Sequence, residues 1–297
     1  MRKAGQFFFA LIPLLLSIGL QFLIVFFSMG VSGLAEGIWY AAVKSGDFTA
    51  VLEDLNILWT TQNFLVYTMV CYSVISIAVF GLWYYTRYDG NYLPRLKTTF
   101  HPLSFLGIIM LIPGTQFLTS YLIGFLSALF PSWLDTYMEL METSGLDNRI
   151  TVGLFLYSVL LGPVSEELIF RGVTMRQLEK CLPFWAANLI QALLFGIFHM
   201  NMLQGVYAFC LGAVLGYLCK KGGSIYHSIL LHIFYNFWGT VISQYLNIGE
   251  SAFAFLFWFL FALALTAGGI AVFISGIRRC QAVSVQIQKE EAAAGEG

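Results

Sequence analysis

Long apolar runs separated by short charged segments dominate the amino-acid sequence. Eight windows are apolar and close to the ~20 residues that a bilayer crossing requires, so they predict membrane-spanning helices. They lie at 6–28, 62–86, 101–129, 151–171, 184–201, 203–219, 224–246 and 252–277. Pro113 should kink the third helix, because proline removes a backbone hydrogen bond. The pattern predicts an all-α, polytopic membrane protein with about eight transmembrane helices.

The charged residues between these windows alternate in sign along the chain. One set of segments is basic, with Arg2, Lys3, Arg87, Arg95, Lys97, Arg171, Arg176, Lys180, Lys220, Lys221, Arg278 and Arg279. The intervening segments are acidic, with Glu36, Asp47, Glu53, Asp54, Asp135, Glu139, Glu142, Asp147 and Glu250 against Lys44 and Arg149. Because basic loops stay on the cytoplasmic side, the alternation requires an even number of spans and places both termini in the cytoplasm. We predict an integral, multi-pass protein of the plasma membrane.

Composition supports a membrane protein and excludes several classes of function. Charged residues make up 10% of the 297-residue chain, against about 25% in soluble proteins, and hydrophobic residues make up 59%. The sequence has no basic arm or aromatic–basic platform, so we expect no nucleic-acid partner. The five cysteines show no CxxC spacing and are expected to be reduced, packed thiols. The apolar run at 7–27 exceeds the core of a signal peptide and is interpreted as the first membrane anchor.

These patterns divide the chain into four regions. Residues 1–149 hold the first three transmembrane helices with their loops, and residues 150–245 hold spans four to seven, where the polar residues of interest are concentrated. Residues 246–280 hold the last transmembrane helix. Residues 281–297 are polar and rich in Ala and Glu, which predicts a disordered cytoplasmic tail.

Glu166 and Glu167 are the two acidic residues, of sixteen in the chain, that fall inside a strongly hydrophobic segment. A carboxylate in hydrocarbon costs at least about 2.5–3.5 kcal/mol, so its presence indicates a functional site. Arg171 follows four residues after the second glutamate. We expect the rest of the protein to hold this pair in place.

Three further polar residues lie in separate apolar segments from the glutamates. His199 ends one apolar run, while His232 and Asn236 are four residues apart and share one helix face. A single histidine in an apolar helix is usually a hydrogen-bonded packing residue, and His101 and His227 are interpreted as interfacial. Because buried polar groups stabilise one another, His199, His232 and Asn236 are expected to converge on the glutamate pair.

The spacing around Pro183 predicts the depth of the site. Glu166 lies seventeen residues before this proline and His199 sixteen after it, so an antiparallel hairpin would place both at one level. The turn would then lie about 25 Å away, so the hairpin is expected to project into the cytoplasm or to break near Gly172. His232 lies about eight residues into span seven from the cytoplasmic side. These depths predict a site within the membrane that opens toward the cytoplasm.

Together these side chains suit the hydrolysis of an acyl bond. A carboxylate in a poorly solvated pocket can act as a general base on water, and a neighbouring imidazole can orient that water. A second histidine and an amide can donate hydrogen bonds to a developing oxyanion. Nothing in the sequence marks a serine or cysteine nucleophile. Glu166, His199 and His232 could equally bind a divalent metal such as zinc, so a metal-free and a metal-dependent mechanism are both open.

Three motifs occur in order in separate apolar helices: Glu166-Glu167-xxx-Arg171, Phe195-xxx-His199 and His232-xxx-Asn236. They resemble the motifs of the CAAX-protease and bacteriocin-processing (CPBP/Abi) family of intramembrane proteases, which includes the eukaryotic CAAX prenyl protease type 2. The likeness covers about residues 150–245. It implies an eight-helix membrane endopeptidase with a cavity inside the bilayer.

The resemblance also implies roles for individual residues. Glu166 would activate water with His199, while His232 and Asn236 would stabilise the oxyanion. Glu167 and Arg171 would hold the geometry of the site, since their spacing allows an ion pair on one helix face. A glutamate-type mechanism without a metal cofactor is favoured. A lipid-open cavity would suit a membrane-associated peptide or protein substrate, including a lipidated one.

Two other functions are compatible with the sequence. The chain could be a non-catalytic, membrane-embedded protein that binds peptides or confers bacteriocin immunity on the same scaffold. It could instead be a transporter, since intramembrane carboxylates also mark proton relays. Inverted repeats and paired broken helices are not visible in the sequence, which disfavours transport. Replacement of Glu166 separates these functions, because only a protease would lose the cleavage of a peptide.

Overall fold

The computed structural model describes residues 3–43, 48–88, 99–144, 150–246 and 251–295. These residues form helices joined by short turns, and no β-strand occurs among them. Part of the loop-charge pattern lies outside the described residues, namely Arg2, Lys44, Asp47, Arg95, Lys97, Asp147, Arg149 and Glu250. The predicted all-α class is confirmed.

The helices are numbered in chain order. They are α1 (Lys3–Phe9), α2 (Ile12–Val43), α3 (Phe48–Thr60), α4 (Gln62–Tyr88), α5 (Pro102–Leu129), α6 (Pro131–Ser144), α7 (Val152–Leu178), α8 (Phe184–Phe198), α9 (Met202–Gly222), α10 (Ile225–Phe237) and α11 (Ala252–Gly295). A π-helical turn, Trp238–Ile242, and a 3₁₀ turn, Ser243–Tyr245, continue α10. Two of these helices, α3 and α6, lie in segments that the sequence predicts as loops.

Within the described residues, six helical stretches are long and apolar enough to cross a membrane. They are Lys3–Ala42, Gln62–Tyr88, Pro102–Leu129, Val152–Leu178, Met202–Gly222 and Ala252–Ala282. α8 is also apolar but has 15 residues, and α10 has 13 before its π turn. Each of the eight predicted windows therefore coincides with a helix. The helices in the fifth and seventh windows, α8 and α10, are shorter than a complete crossing. The predicted polytopic architecture is confirmed.

α5 and α11 pack against each other in antiparallel orientation. A Cβ atom added at Gly107 of α5 would lie 2.5 Å from the backbone nitrogen of Phe273 and 2.7 Å from the carbonyl oxygen of Gly269, both in α11. Only glycine permits this approach, which brings the two backbones together as small residues do in membrane helix pairs. Nearer the C-terminus of α5, Tyr121 donates a hydrogen bond to the carbonyl oxygen of Phe255 (2.8 Å). One apolar cluster joins this pair to α9 and α10.

The described residues that flank the basic segments lie together at one end of the bundle. Tyr88 at the end of α4 donates a hydrogen bond to Oε1 of Gln177 at the end of α7 (2.7 Å). Nε2 of His227 in α10 lies 3.1 Å from the carbonyl oxygen of Thr99, just before α5. We term this end, which also holds the C-terminus of α9 and the N-terminus of α8, the basic end. The opposite end, which holds α6 and the N-terminus of α11, is termed the acidic end.

α11 continues through Gly295, whereas the sequence predicts a disordered tail from residue 281. The segment is rich in Ala, Gln, Glu and Lys, which are strong helix formers. It also extends a helix that already exists, so no new helix nucleus is needed. The other region boundaries stay predictions.

Candidate active site

A cavity of about 400 Å³ lies between α5, α6, α7, α8, α9 and α10. Its wall contains all four residues that were predicted to act on a substrate: Glu166, His199, His232 and Asn236. Tyrosine, serine, threonine and glutamine side chains supply much of the remaining lining. Water and a peptide backbone can therefore find hydrogen-bond partners there. The structure brings together the residues that were expected to converge.

α7 departs from a regular α-helix on both sides of the glutamate pair. π-helical turns occupy Leu156–Leu161 and Leu168–Met175, and the α-helical turn Gly162–Glu167 lies between them. Such π turns are rare and are frequently found at functional sites. The irregularity leaves one carbonyl group of α7, that of Ser158, without a backbone donor. Its donor would be the N–H of Gly162 in an α-helix or that of residue 163 in a π-helix, and neither is available.

Asn236 binds this unpaired carbonyl group. The backbone N–H of Gly162 bonds to the carbonyl oxygen of Tyr157, and Pro163 has no N–H. Nδ2 of Asn236 instead donates to the carbonyl oxygen of Ser158 (2.8 Å). Because this bond fixes which end of the amide faces α7, one N–H remains available to the cavity that Asn236 lines.

We expect Pro163→Ala to lower turnover without lowering stability. Alanine restores a backbone N–H that competes with Asn236 for the Ser158 carbonyl, and loss of one positioning hydrogen bond of ~1.4 kcal/mol in the transition state is a tenfold effect. Proline inside a helix costs up to about 3 kcal/mol relative to alanine, so the variant should unfold at the same temperature or higher. The matched control is Pro113→Ala in α5, which should be stabilised with unchanged turnover. Equal turnover of both variants would contradict the role given to the proline in α7.

Glu167 and Arg171 are fully buried beneath the cavity and form the predicted ion pair. Nη1 of the guanidinium lies 2.8 Å from Oε1 of the carboxylate. Nη2 donates to the carbonyl oxygen of Gly212 in α9 (3.2 Å), and the guanidinium carbon lies 4.4 Å from the centre of the Phe195 ring in α8. The ion pair therefore connects α7 to both helices of the following hairpin.

Glu167 also binds His232, a contact that the sequence did not predict. Nδ1 of the imidazole lies 2.8 Å from Oε1 of the carboxylate, and because an ionised carboxylate only accepts, Nδ1 carries a proton. Nε2 is then directed to the other glutamate, 3.6 Å from Oε2 of Glu166. When Nε2 is protonated as well, the two carboxylates, His232 and Arg171 sum to zero charge, which lowers the cost of burying them.

His199 lies at the C-terminal cap of α8. Nδ1 of its imidazole is 2.8 Å from the carbonyl oxygen of Phe195, so Nδ1 donates and Nε2 of the neutral ring is an acceptor. The next residue, Met200, adopts a left-handed backbone conformation (φ 55°), which costs a non-glycine residue about 1–2 kcal/mol. The side chain of Asn201 then caps the N-terminus of α9. This tight turn ends α8 beside the cavity.

α7 runs without interruption from Glu166 through Gly172 to Leu178, about 18 Å along its axis. Of the two alternatives that the sequence left open, the break near Gly172 does not occur, because the π turns preserve the helix. The projection of the hairpin into the cytoplasm stays a prediction. α8, with 15 residues, returns the chain about 22 Å from the basic end and brings His199 to the cavity. Because α8 is short, it ends at the cavity, and His199 lies at the level of Glu166 as the sequence predicted.

The cavity lies toward the acidic end of the bundle. Its lining includes Tyr137 of α6 and Ser243 after α10, whereas α7 contributes no lining residue between Glu166 and the basic end within the described part of the chain. This position differs from the opening toward the basic loops that the residue counts predicted. Counting residues along α10 predicted correctly that His232 is internal. It could not show on which side of the imidazole the cavity lies.

Several lining residues were missed by the sequence analysis. Gln116 of α5 donates a hydrogen bond to the carbonyl oxygen of Tyr235, and it was detectable as a polar residue within an apolar span. The rings of Tyr137 and Tyr207 meet edge to face, with centroids 6.4 Å apart, and no local pattern marks either of them. These residues extend the polar wall away from the glutamates.

His199 and His232 each commit one ring nitrogen to the protein and keep Nε2 for a further partner. Nδ1 of His199 and Nδ1 of His232 are hydrogen-bonded to Phe195 and Glu167. Among the described residues, no group of three or more His, Cys, Asp or Glu side chains is arranged to hold a metal ion. Hydrolysis without a metal stays a prediction, and the mechanism below contains no step through a metal.

Comparisons with known proteins agree with the motif resemblance. Residues 148–238 match a family model described as "Type II CAAX prenyl endopeptidase Rce1-like". A Bacillus subtilis (strain 168) protein named "Putative membrane peptidase YdiL" is 28% identical over 83 residues, which are 28% of this chain and 34% of that protein. The match thus spans about a third of the length of that relative. No solved structure matches the chain. The resemblance to the CAAX-protease family is confirmed over the segment that holds every candidate site residue.

Proposed function

We propose that this protein is a membrane-embedded endopeptidase that hydrolyses a peptide bond of a membrane-associated protein or peptide. The observation that carries the proposal is the presence of Glu166, His199, His232 and Asn236 in one internal cavity. The family match over residues 148–238 supports it. Processing of a CAAX-like C-terminus, of a leader peptide or of a bacteriocin-type peptide is compatible with such a site.

The mechanism begins with a water molecule held between two acceptors. The carboxylate of Glu166 and Nε2 of His199 can each accept one hydrogen of the water, which directs an oxygen lone pair at the scissile carbonyl carbon. As the new carbon–oxygen bond forms, Glu166 takes the proton of the water. The same proton then passes to the amide nitrogen as the carbon–nitrogen bond breaks, so the glutamate returns to its ionised form.

His232 and Asn236 lie on one face of α10 and can stabilise the oxyanion. Nε2 of His232 donates when the ring carries both protons, while Nδ1 is held by the carboxylate of Glu167. Asn236 can donate its second amide hydrogen, since the first bonds to Ser158. Two donors fixed before the reaction need no reorganisation as negative charge develops on the oxygen.

Comparison of peptide termini tests the proposal directly. Membranes from cells that make the wild-type protein should contain new N- and C-termini that are absent from cells that make Glu166→Gln, a substitution of nearly equal shape. Quantitative mass spectrometry of terminal peptides measures the difference, with both proteins at equal abundance in the membrane. If both produce the same termini while a protective phenotype persists, the chain acts as a non-catalytic peptide-binding or immunity protein instead.

Metal content tests the cofactor part of the proposal. We propose hydrolysis without a divalent metal, because the carboxylate of Glu166 and Nε2 of His199 can activate water by themselves. Elemental analysis of the purified protein should find less than stoichiometric zinc. One zinc ion per chain that is lost in His199→Ala would replace the glutamate mechanism with a metal-dependent one.

A further inference from the structure

The two ends of the bundle differ strongly in charge. The segments that flank the basic end carry eleven of the fifteen Lys and Arg residues: Arg2, Lys3, Arg87, Arg95, Lys97, Arg176, Lys180, Lys220, Lys221, Arg278 and Arg279. The segments that flank the acidic end carry the nine acidic residues and two basic residues given in the sequence analysis. Because short basic loops are retained in the cytoplasm, the acidic end belongs on the opposite side of the membrane.

The lining of the cavity extends from the glutamates toward the acidic end, as far as the described residues show. From Glu166 and His232 it extends past Ser120 of α5 and Ser243 after α10, both of which are exposed. Helix α6 lies at this end and contributes Tyr137 to the lining. Its opposite face presents exposed acidic residues, so α6 is suited to the water-facing surface of the membrane.

Packed side chains close the route from the cavity to the basic end. Below Glu167 and Arg171, the helix segments that lead to the basic end contribute the fully buried residues Val173, Met175, Leu178, Leu215 and Leu218. Protein interiors of this kind leave few voids larger than a water molecule, so a peptide cannot pass through them. Within the described chain, the site is accessible from the acidic end and blocked from the basic end.

We propose that the substrate segment reaches the glutamates from the extracytoplasmic side of the membrane. The substrate class, which rests on the proposed endopeptidase function, is then a peptide segment exposed on that side: an exported peptide or the extracytoplasmic flank of a membrane protein. A C-terminal peptide that stays in the cytoplasm would face the closed, basic end. The side of access itself does not depend on catalysis, because it follows from the position of the cavity and from the charges.

Cysteine labelling measures the side of access. Ser243→Cys and Ser120→Cys place thiols at two exposed positions of the cavity lining, while Lys221→Cys places one at the exposed end of α9. Each variant is made in the otherwise unchanged chain, with its five cysteines in place, and is produced in the plasma membrane of bacterial cells. A membrane-impermeant maleimide is applied to intact spheroplasts or to inverted vesicles. Peptide mass spectrometry locates the adducts that are additional to those of the parent protein.

The two serine positions should be labelled in spheroplasts at least about tenfold more than in inverted vesicles, and Lys221→Cys should show the reverse. Labelling of both serine positions from the cytoplasmic side, from both sides or from neither would overturn the proposal. Combining Glu166→Gln with each cysteine variant should leave the labelling pattern unchanged. Labelling therefore tests the side of access even if the endopeptidase proposal fails. Cleaved termini that map to cytoplasmic segments, combined with labelling from outside, would overturn the substrate class alone.

Discussion

Glu166→Gln is expected to lower kcat for peptide hydrolysis by about 10²–10⁴-fold, with a smaller change in KM. The amide cannot take a proton from water, yet it keeps the shape of the side chain and can still hydrogen-bond. His199→Asn should cost a similar factor, because it removes the second acceptor of the water. The double variant should be at most about tenfold slower than the slower single variant, since both side chains serve one proton transfer. Steady-state kinetics of the purified protein on a peptide that the wild type cleaves measures all three.

A histidine outside the cavity provides the matched control. His101 caps the N-terminus of α5 and accepts a hydrogen bond from Leu103, which asparagine can also do. His101→Asn should therefore retain wild-type kcat. The mechanism is contradicted if Glu166→Gln keeps more than about a tenth of the wild-type kcat while remaining folded, or if His101→Asn loses as much activity as His199→Asn.

Arg171→Met is expected to destabilise the folded protein by about 3–5 kcal/mol. The guanidinium is fully buried and forms the ion pair with Glu167. Its removal leaves a buried carboxylate that keeps the hydrogen bond to His232 but has lost its permanent cation. The double variant Glu167→Leu/Arg171→Met should recover more than half of that loss, because replacing both charges by apolar groups removes the unpaired charge. Denaturant unfolding in detergent micelles, followed by intrinsic fluorescence, measures the free energies.

An exposed ion pair supplies the comparison for this stability prediction. Lys220 and Glu179 form a pair with an Nζ–Oε1 distance of 2.7 Å, but the lysine side chain is 40% exposed. Lys220→Met should cost less than about 1 kcal/mol, because solvent screens such a pair. If the two methionine variants lost equal stability, the buried pair would not be the connection between α7, α8 and α9 that its contacts indicate. The recovered double variant should still be inactive, since Nδ1 of His232 then lacks its carboxylate partner.

Much of the fold could be predicted because hydrophobic length is a local property. A segment of about 20 apolar residues must be helical in a bilayer, where each backbone group needs an internal partner. The two short helices, α8 and α10, were harder to place, because a helix that ends inside the protein need not cover the full membrane thickness. The helices α3 and α6 were missed because they are amphipathic and, with 13 and 14 residues, too short for a membrane-spanning window.

The chemistry of the site was also largely visible in the chain. Glu166, His199 and His232 are costly in an apolar segment, and this cost predicts that they meet. The spacing of Glu167 and Arg171 is sufficient to predict their ion pair, since residues four apart are neighbours on any helix. The first inference depends on the cost of burying polar groups and the second on helix geometry, so neither required knowledge of the neighbouring helices.

The tertiary structure decided which polar groups touch and from which side they can be reached. Glu167 and His232 are 65 residues apart, and Asn236 and Ser158 are 78 apart, so both contacts depend on how two helices are rotated against each other. The side of access depends on where packing between helices fails, which is a property of the whole bundle. The sequence by itself determined that the chain forms membrane helices carrying paired carboxylates and histidines. Only the assembled bundle placed their cavity at the acidic end.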